Sequence, residues 1–145
     1  MNICFFIDDI THTGGIERVT SNLISQFSKD RNDLEIEIVS QFKSGEKLWY
    51  PFDNCAIKFL SEKNYDAKPH SFRRMLKMFS NVFTVRKFFK ENHYDVIIGQ
   101  SFPNVFVLYL AGVDMSRVIA TEHVYYDYYN SCLLYTSDAG RRRLR

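Results

Sequence analysis

The sequence predicts a doubly wound α/β domain, a parallel sheet with helices packed on both faces. Two observations carry that expectation. Short uninterrupted apolar runs (Ile3 to Ile7 and Val96 to Ile98) suit strands buried on both sides. The stretches between them repeat apolar residues at three- and four-residue steps, the spacing of one helical face. Strands alternating with helices need crossover connections, and crossovers make the sheet parallel.

Ile3-Cys-Phe-Phe-Ile7 is the first expected strand, and a polar turn follows from Asp8 to Gly15. Ile16, Val19, Thr20, Leu23, Ile24 and Phe27 then share a helical face, with Glu17, Arg18, Asn22, Ser25 and Lys29 opposite. Leu34 to Val39 alternates apolar and acidic residues, the pattern of a strand with one more exposed face. Gln41 to Asn54 contains Gly45 and Pro51 and reads as a loop; Ala56 to Leu60 reads as a short third strand, and Lys63 to Pro69 as another loop. A long helix is expected from Ser71, its N-cap, with Phe72, Met75, Leu76, Phe79, Val82, Phe83 and Phe89 as the buried stripe. Val96 to Gly99 is a buried strand, Asn104 to Leu110 a helix with Pro103 near its first turn, and Arg117 to Thr121 a last buried strand.

Composition narrows the class. The 145 residues are 46% hydrophobic and 25% charged, the balance of a globular domain with a real core. No stretch approaches the roughly 18 apolar residues of a spanning helix. Met1 to Ile7 lacks the basic start of a secretory signal, and three scattered cysteines (Cys4, Cys55, Cys132) offer neither a disulfide framework nor a zinc site. These features predict a cytoplasmic protein with no metal site. The formal charge of +2 depends on Arg141, Arg142, Arg143 and Arg145; without residues 131–145 the chain has 15 basic and 16 acidic residues. A nucleic-acid partner is therefore not expected. Residues 131–145 show no periodicity, and Cys132 to Ala139 resembles a translated adapter segment, so this tail is expected to be foreign or disordered and the domain to span 1–130.

Ligands of such sheets bind outside the carboxyl ends of the strands. That rule selects Asp8 to Gly15, Gln100 to Pro103, and Glu122 to Tyr126. Gly14-Gly15 can turn tightly and approach a ligand closely, and the free N–H groups of the next helix favour an anion. Two glycines that merely make the turn are an equal reading. A dinucleotide fingerprint needs a third glycine, which is absent. His123 could donate to a substrate oxygen or exchange protons near neutral pH. Seven basic and no acidic residues between Lys68 and Lys90 suit either a solvated helix face or contact with an anionic membrane. Tyr125, Tyr126, Tyr128 and Tyr129 could stack on a sugar or pack against another domain.

With these residues in place, the chain resembles the amino-terminal domain of family-4 glycosyltransferases, retaining enzymes of GT-B architecture. The likeness runs from Met1 to about Tyr129. It is strongest in Ile3-Cys-Phe-Phe-Ile-Asp-Asp-Ile10, Gly14-Gly-Ile-Glu-Arg-Val19 and Asn22-Leu23, and continues in Asp95-Val-Ile-Ile98 and Val118-Ile-Ala-Thr-Glu-His123. The resemblance implies a Rossmann-like domain, one half of a GT-B enzyme, that serves the acceptor side and is incomplete alone. It implies that Gly14 and Gly15 approach the diphosphate of a nucleotide-sugar co-substrate, that no other cofactor is needed, and that His123 is catalytic against the transferred sugar. Thr13 and Ser101 would lie by the acceptor, a saccharide or a lipid-linked one. Many relatives build bacterial surface polysaccharide at the inner membrane face, which would suit peripheral membrane contact through Arg73 to Lys90. The donor-gripping half, with its paired glutamates, is absent, so the chain is expected to be inactive alone.

Two other classes compete. Asp8-Asp9 imitates the acidic pair of a phospho-receiver, but a receiver needs an aspartate ending its third strand and a lysine ending its fifth. Here those places hold Leu60-Ser61 and Thr121-Glu122-His123. A non-catalytic α/β binding module is the remaining alternative.

Overall fold

A computed structural model describes residues 1–31, 33–62 and 72–123, with the side chains of residues 72–79 outside that description. The expected Ser71 cap, the front of the long helix's stripe, the tyrosine cluster and the 131–145 tail all fall outside the described residues.

Five strands, β1 (Asn2–Ile7), β2 (Glu35–Ser40), β3 (Ala56–Phe59), β4 (Val96–Gln100) and β5 (Val118–Thr121), form one sheet in the order β3-β2-β1-β4-β5. Every pairing is parallel. Helices α1 (Gly15–Asp30), α2 (Phe72–Glu91) and α3 (Phe102–Leu110) make three of the four connections, residues 41–55 join β2 to β3 without a helix, and one 3-10 turn, Met115–Arg117, precedes β5. The fold is α/β and Rossmann-like, as the alternation of apolar runs predicts. A phospho-receiver has the order 2-1-3-4-5. The observed order excludes it.

β1 lies at the centre, with Phe5 paired to Ile38 on one side and Ile98 on the other. Because successive side chains leave a strand on opposite faces, β1 feeds two cores. Ile3, Phe5 and Ile7 join Ile24 of α1, Ile36, Ile38 and Ile98 on one face. Cys4 and Phe6 join Val85 of α2 and Val107 and Leu108 of α3 on the other. Phe5 and Phe6 are fully buried, and truncating either to alanine would cost about 3–5 kcal/mol.

Three expectations are corrected. Glu17, expected on the outer face of α1, is buried beside Thr20, Ser21 and Ile24. Phe83, expected in the stripe of α2, is 79% exposed. Val82 and Phe89 lie in the stripe as expected, and Asn81, Val85 and Phe88 complete it. At about 100° per residue, Phe83 lies two positions from both Asn81 and Val85 and so faces away. The last strand is a half-exposed edge rather than a buried strand, with Ile119 51% exposed.

On the surface, Arg31 donates to both oxygens of Asp33 at 2.8 and 2.7 Å. This hydrogen-bonded guanidinium holds the Asp33 carboxyl down at about 2, against an ordinary 3.8. The Ser116 hydroxyl and backbone N–H, with Arg117 a smaller influence, likewise hold Asp114 low. Depressed carboxyls contribute stability that is present above the unfolded value and lost as pH falls through the folded one. Denaturant midpoints should therefore decline between pH 4 and pH 2, and Asp33→Asn should remove part of that decline. An unchanged pH profile in the variant would refute the role of this pair.

Candidate functional site at the carboxyl edge

Since all strands run parallel, β1, β4 and β5 deliver their carboxyl ends to one edge. The β1–β4 junction is where the chain's crossovers change direction, the topological switch point at which such sheets bind ligands.

The loop after β1 is fixed there by Asp9, which is fully buried. Asp9 Oδ1 accepts from the backbone N–H and hydroxyl of Thr11 at 2.9 and 2.5 Å, and Oδ2 accepts from the Ser44 N–H at 2.7 Å. His12 lies 3.7 Å from the same carboxylate. The Ser40 hydroxyl accepts from Ile10 N–H at 3.0 Å and donates to Phe42 O at 2.8 Å. Asp9 thus staples the first loop to the one after β2, a structural duty.

Beneath the edge, side-chain amides join four elements. Gln41 Nε2 donates to Asn104 Oδ1 at 2.6 Å, and Asn81 Nδ2 donates to Gln41 Oε1 at 3.0 Å. Asn104 Nδ2 donates to Gln100 O at 2.7 Å and lies 3.1 Å from Ser101 Oγ. All five residues are buried. None of Gln41, Asn81 and Asn104 was a sequence candidate. The available signal was polar residues set in apolar stretches, which shows no partner.

Ser101 has φ 107° and ψ 152°, a conformation that costs a non-glycine residue on the order of 1–3 kcal/mol. Its N–H donates to Thr121 O at 2.8 Å, and Asn104 reaches its hydroxyl. Neighbouring structure therefore holds the turn in place. His123 follows β5, half-exposed, with Nε2 2.5 Å from Gln100 Oε1. Glu122 Oε2 accepts from Phe102 N–H at 3.1 Å, so that carboxylate sits at the start of α3.

Gly14 and Gly15 lie at the same edge. No side chain caps α1. A Cβ on Gly14 would meet the Glu17 carboxylate, which would have to shift; a Cβ on Gly15 would meet nothing within 4 Å. Thr13 is exposed in the loop before them. Ser101 and His123 are therefore brought together through Gln100 and β5. Among the described residues no hydrogen bond joins Thr13, Gly14 or Gly15 to that pair. A separate concavity lined by Arg86, Lys90, Asn92, Asp114 and Arg117 lies at the amino edge, away from all of them.

Two solved structures share this architecture. The apo form of a lipopolysaccharide outer core galactosyltransferase, WaaB, superposes with a TM-score of 0.57 at 20% identity, over 88% of this chain and 35% of its own. MurG of Acinetobacter baumannii gives 0.50 at 12% identity, over 83% of this chain and 34% of its own. The fold is one half of a GT-B architecture. At these identities the likeness concerns fold alone, and the chain spans about a third of each neighbour's length. No protein-family profile and no curated protein sequence matches the chain.

The roles of two glycines separate by substitution. Gly99 lies against α3, and a Cβ there would come 2.6 Å from Val105 Cγ2. Gly99→Ala should lose about 1–3 kcal/mol, whereas Gly15→Ala should be neutral or stabilising by up to about 1 kcal/mol. Thermal melts of both variants test this, and a large loss at Gly15 would mean that its conformation, not ligand access, requires glycine.

Proposed function

We propose that this chain is the amino-terminal, acceptor-side part of a retaining glycosyltransferase of family-4 kind. The enzyme would move a sugar from a nucleotide-sugar to a saccharide or lipid-linked acceptor in bacterial surface-polysaccharide synthesis. The GT-B half-fold supports transfer chemistry in general, and one observation carries the finer reading. The uncapped start of α1, the turn at Ser101 and His123 all share the carboxyl edge of one sheet.

In this reading the donor diphosphate approaches α1 at Gly15, where the backbone is open, and receives its first-turn N–H groups. Glu17 fills the space over Gly14, so close approach belongs to Gly15 more than to its neighbour. His123 meets the transferred sugar, and Thr13 and Ser101 border the acceptor. The nucleotide-sugar is the sole co-substrate, with no metal and no other cofactor. Arg86, Lys87 and Lys90 are exposed on α2, which supports peripheral contact with an anionic inner membrane from the cytoplasmic side. Stabilisation of the departing diphosphate falls largely to a second half-domain, so the chain alone turns over no donor.

Titrating the isotope-labelled chain with UDP and a panel of nucleotide-sugars should shift the amides of Gly14, Gly15 and His123 more than the rest. Nucleotide release by the chain alone should match a buffer blank. Shifts confined to the amino edge, or none at millimolar donor, would contradict the donor site; turnover above the blank would contradict the assigned inactivity.

A further inference from the structure

Gln100 ends β4 at the switch point and has no exposed surface. Its Oε1 lies 2.5 Å from His123 Nε2 and 3.2 Å from Thr121 Oγ1, while its Nε2 is buried without a partner among the described residues. The Thr121 hydroxyl carries a single proton, and Gly99 O, 3.0 Å away, can take it. The amide oxygen then faces a hydroxyl oxygen with no proton to offer, and two buried N–H bonds are orphaned. The ends of a carboxamide are alike in shape, and the hydrogen-bond network decides between them. Rotating the group by 180° aims its two N–H bonds at Thr121 Oγ1 and His123 Nε2, both able to accept. Only a carbonyl oxygen is then left over, a more tolerable orphan than an N–H group.

We infer that Gln100 is the positioning residue for His123, donating to Nε2 and so holding the neutral ring with its proton on Nδ1. The partner of one ring nitrogen sets the state of the other. Nδ1 has no partner among the described residues, so its N–H is the ring's donor for a ligand oxygen. This deepens the sugar-transfer reading and rests on it for its consequence: His123 would donate a hydrogen bond to a sugar oxygen and would not act as a base through Nε2. Among the described residues, the Glu122 carboxylate accepts the His123 backbone N–H at 3.1 Å.

Long-range proton–nitrogen correlation spectra of the full chain, labelled at histidine and taken at pH 8, read the tautomer directly. Loss of signals in His123→Asn assigns them. The expected pattern has a protonated Nδ1 and an unprotonated Nε2. The reverse pattern, or the average of a ring exchanging between the two, would overturn the inference. In Gln100→Glu the carboxylate can only accept, so the proton should move to Nε2 and the His123 titration midpoint should rise by about one pH unit or more. An unmoved midpoint would mean that residue 100 does not hold the ring. Neither spectrum needs substrate. A failed nucleotide-sugar titration would therefore remove the transfer reading and leave the role of Gln100 standing.

Discussion

The constraint on which the rest depends is the burial of side-chain amides where β1 meets β4. A carboxamide taken out of water without a partner costs about 1–3 kcal/mol. Gln41, Asn81 and Asn104 therefore fix one another's positions, and with them the end of β2, the middle of α2 and the start of α3. Asn104 passes that constraint to Gln100 and to the strained turn at Ser101. The apolar cores could tolerate exchanges of similar volume. A network of directional bonds tolerates them less, because losing one member strands the others.

This arrangement divides the edge in two. On one side the turn at Ser101, Gln100 and His123 form a linked, rigid unit. On the other, the loop from Asp9 to Gly15 is stapled to the loop after β2 and presents an open backbone at Gly15. A ligand lying across the switch point would touch both sides. In the proposed function, these two sides would take the anionic end and the hydroxyl-rich end of one substrate.

Much of this fold was legible in the sequence. Ile3 to Ile7 and Val96 to Ile98 have no polar interruption, so their burial in central strands followed directly. The parallel pairing of every strand also follows from that alternation. Phe83 was misread because residue type outweighed phase, and a 20-residue helix allows several neighbouring stripes. Glu17 was misread because charge argued for solvent, while the missing side chain of Gly14 makes room for its carboxylate. The site was legible only at its outline. His123 and Ser101 follow from strand ends, but Gln41 and Asn104 are 63 positions apart. Such a pairing exists only after the sheet forms.

The most direct test is a double-mutant cycle on Gln41→Ala and Asn104→Ala, read by denaturant unfolding. If the amide network holds the edge together, the two losses should overlap, with a coupling of about 1 kcal/mol or more. Losses that simply add, within about 0.5 kcal/mol, would show that each residue acts alone and that the edge is organised by something else.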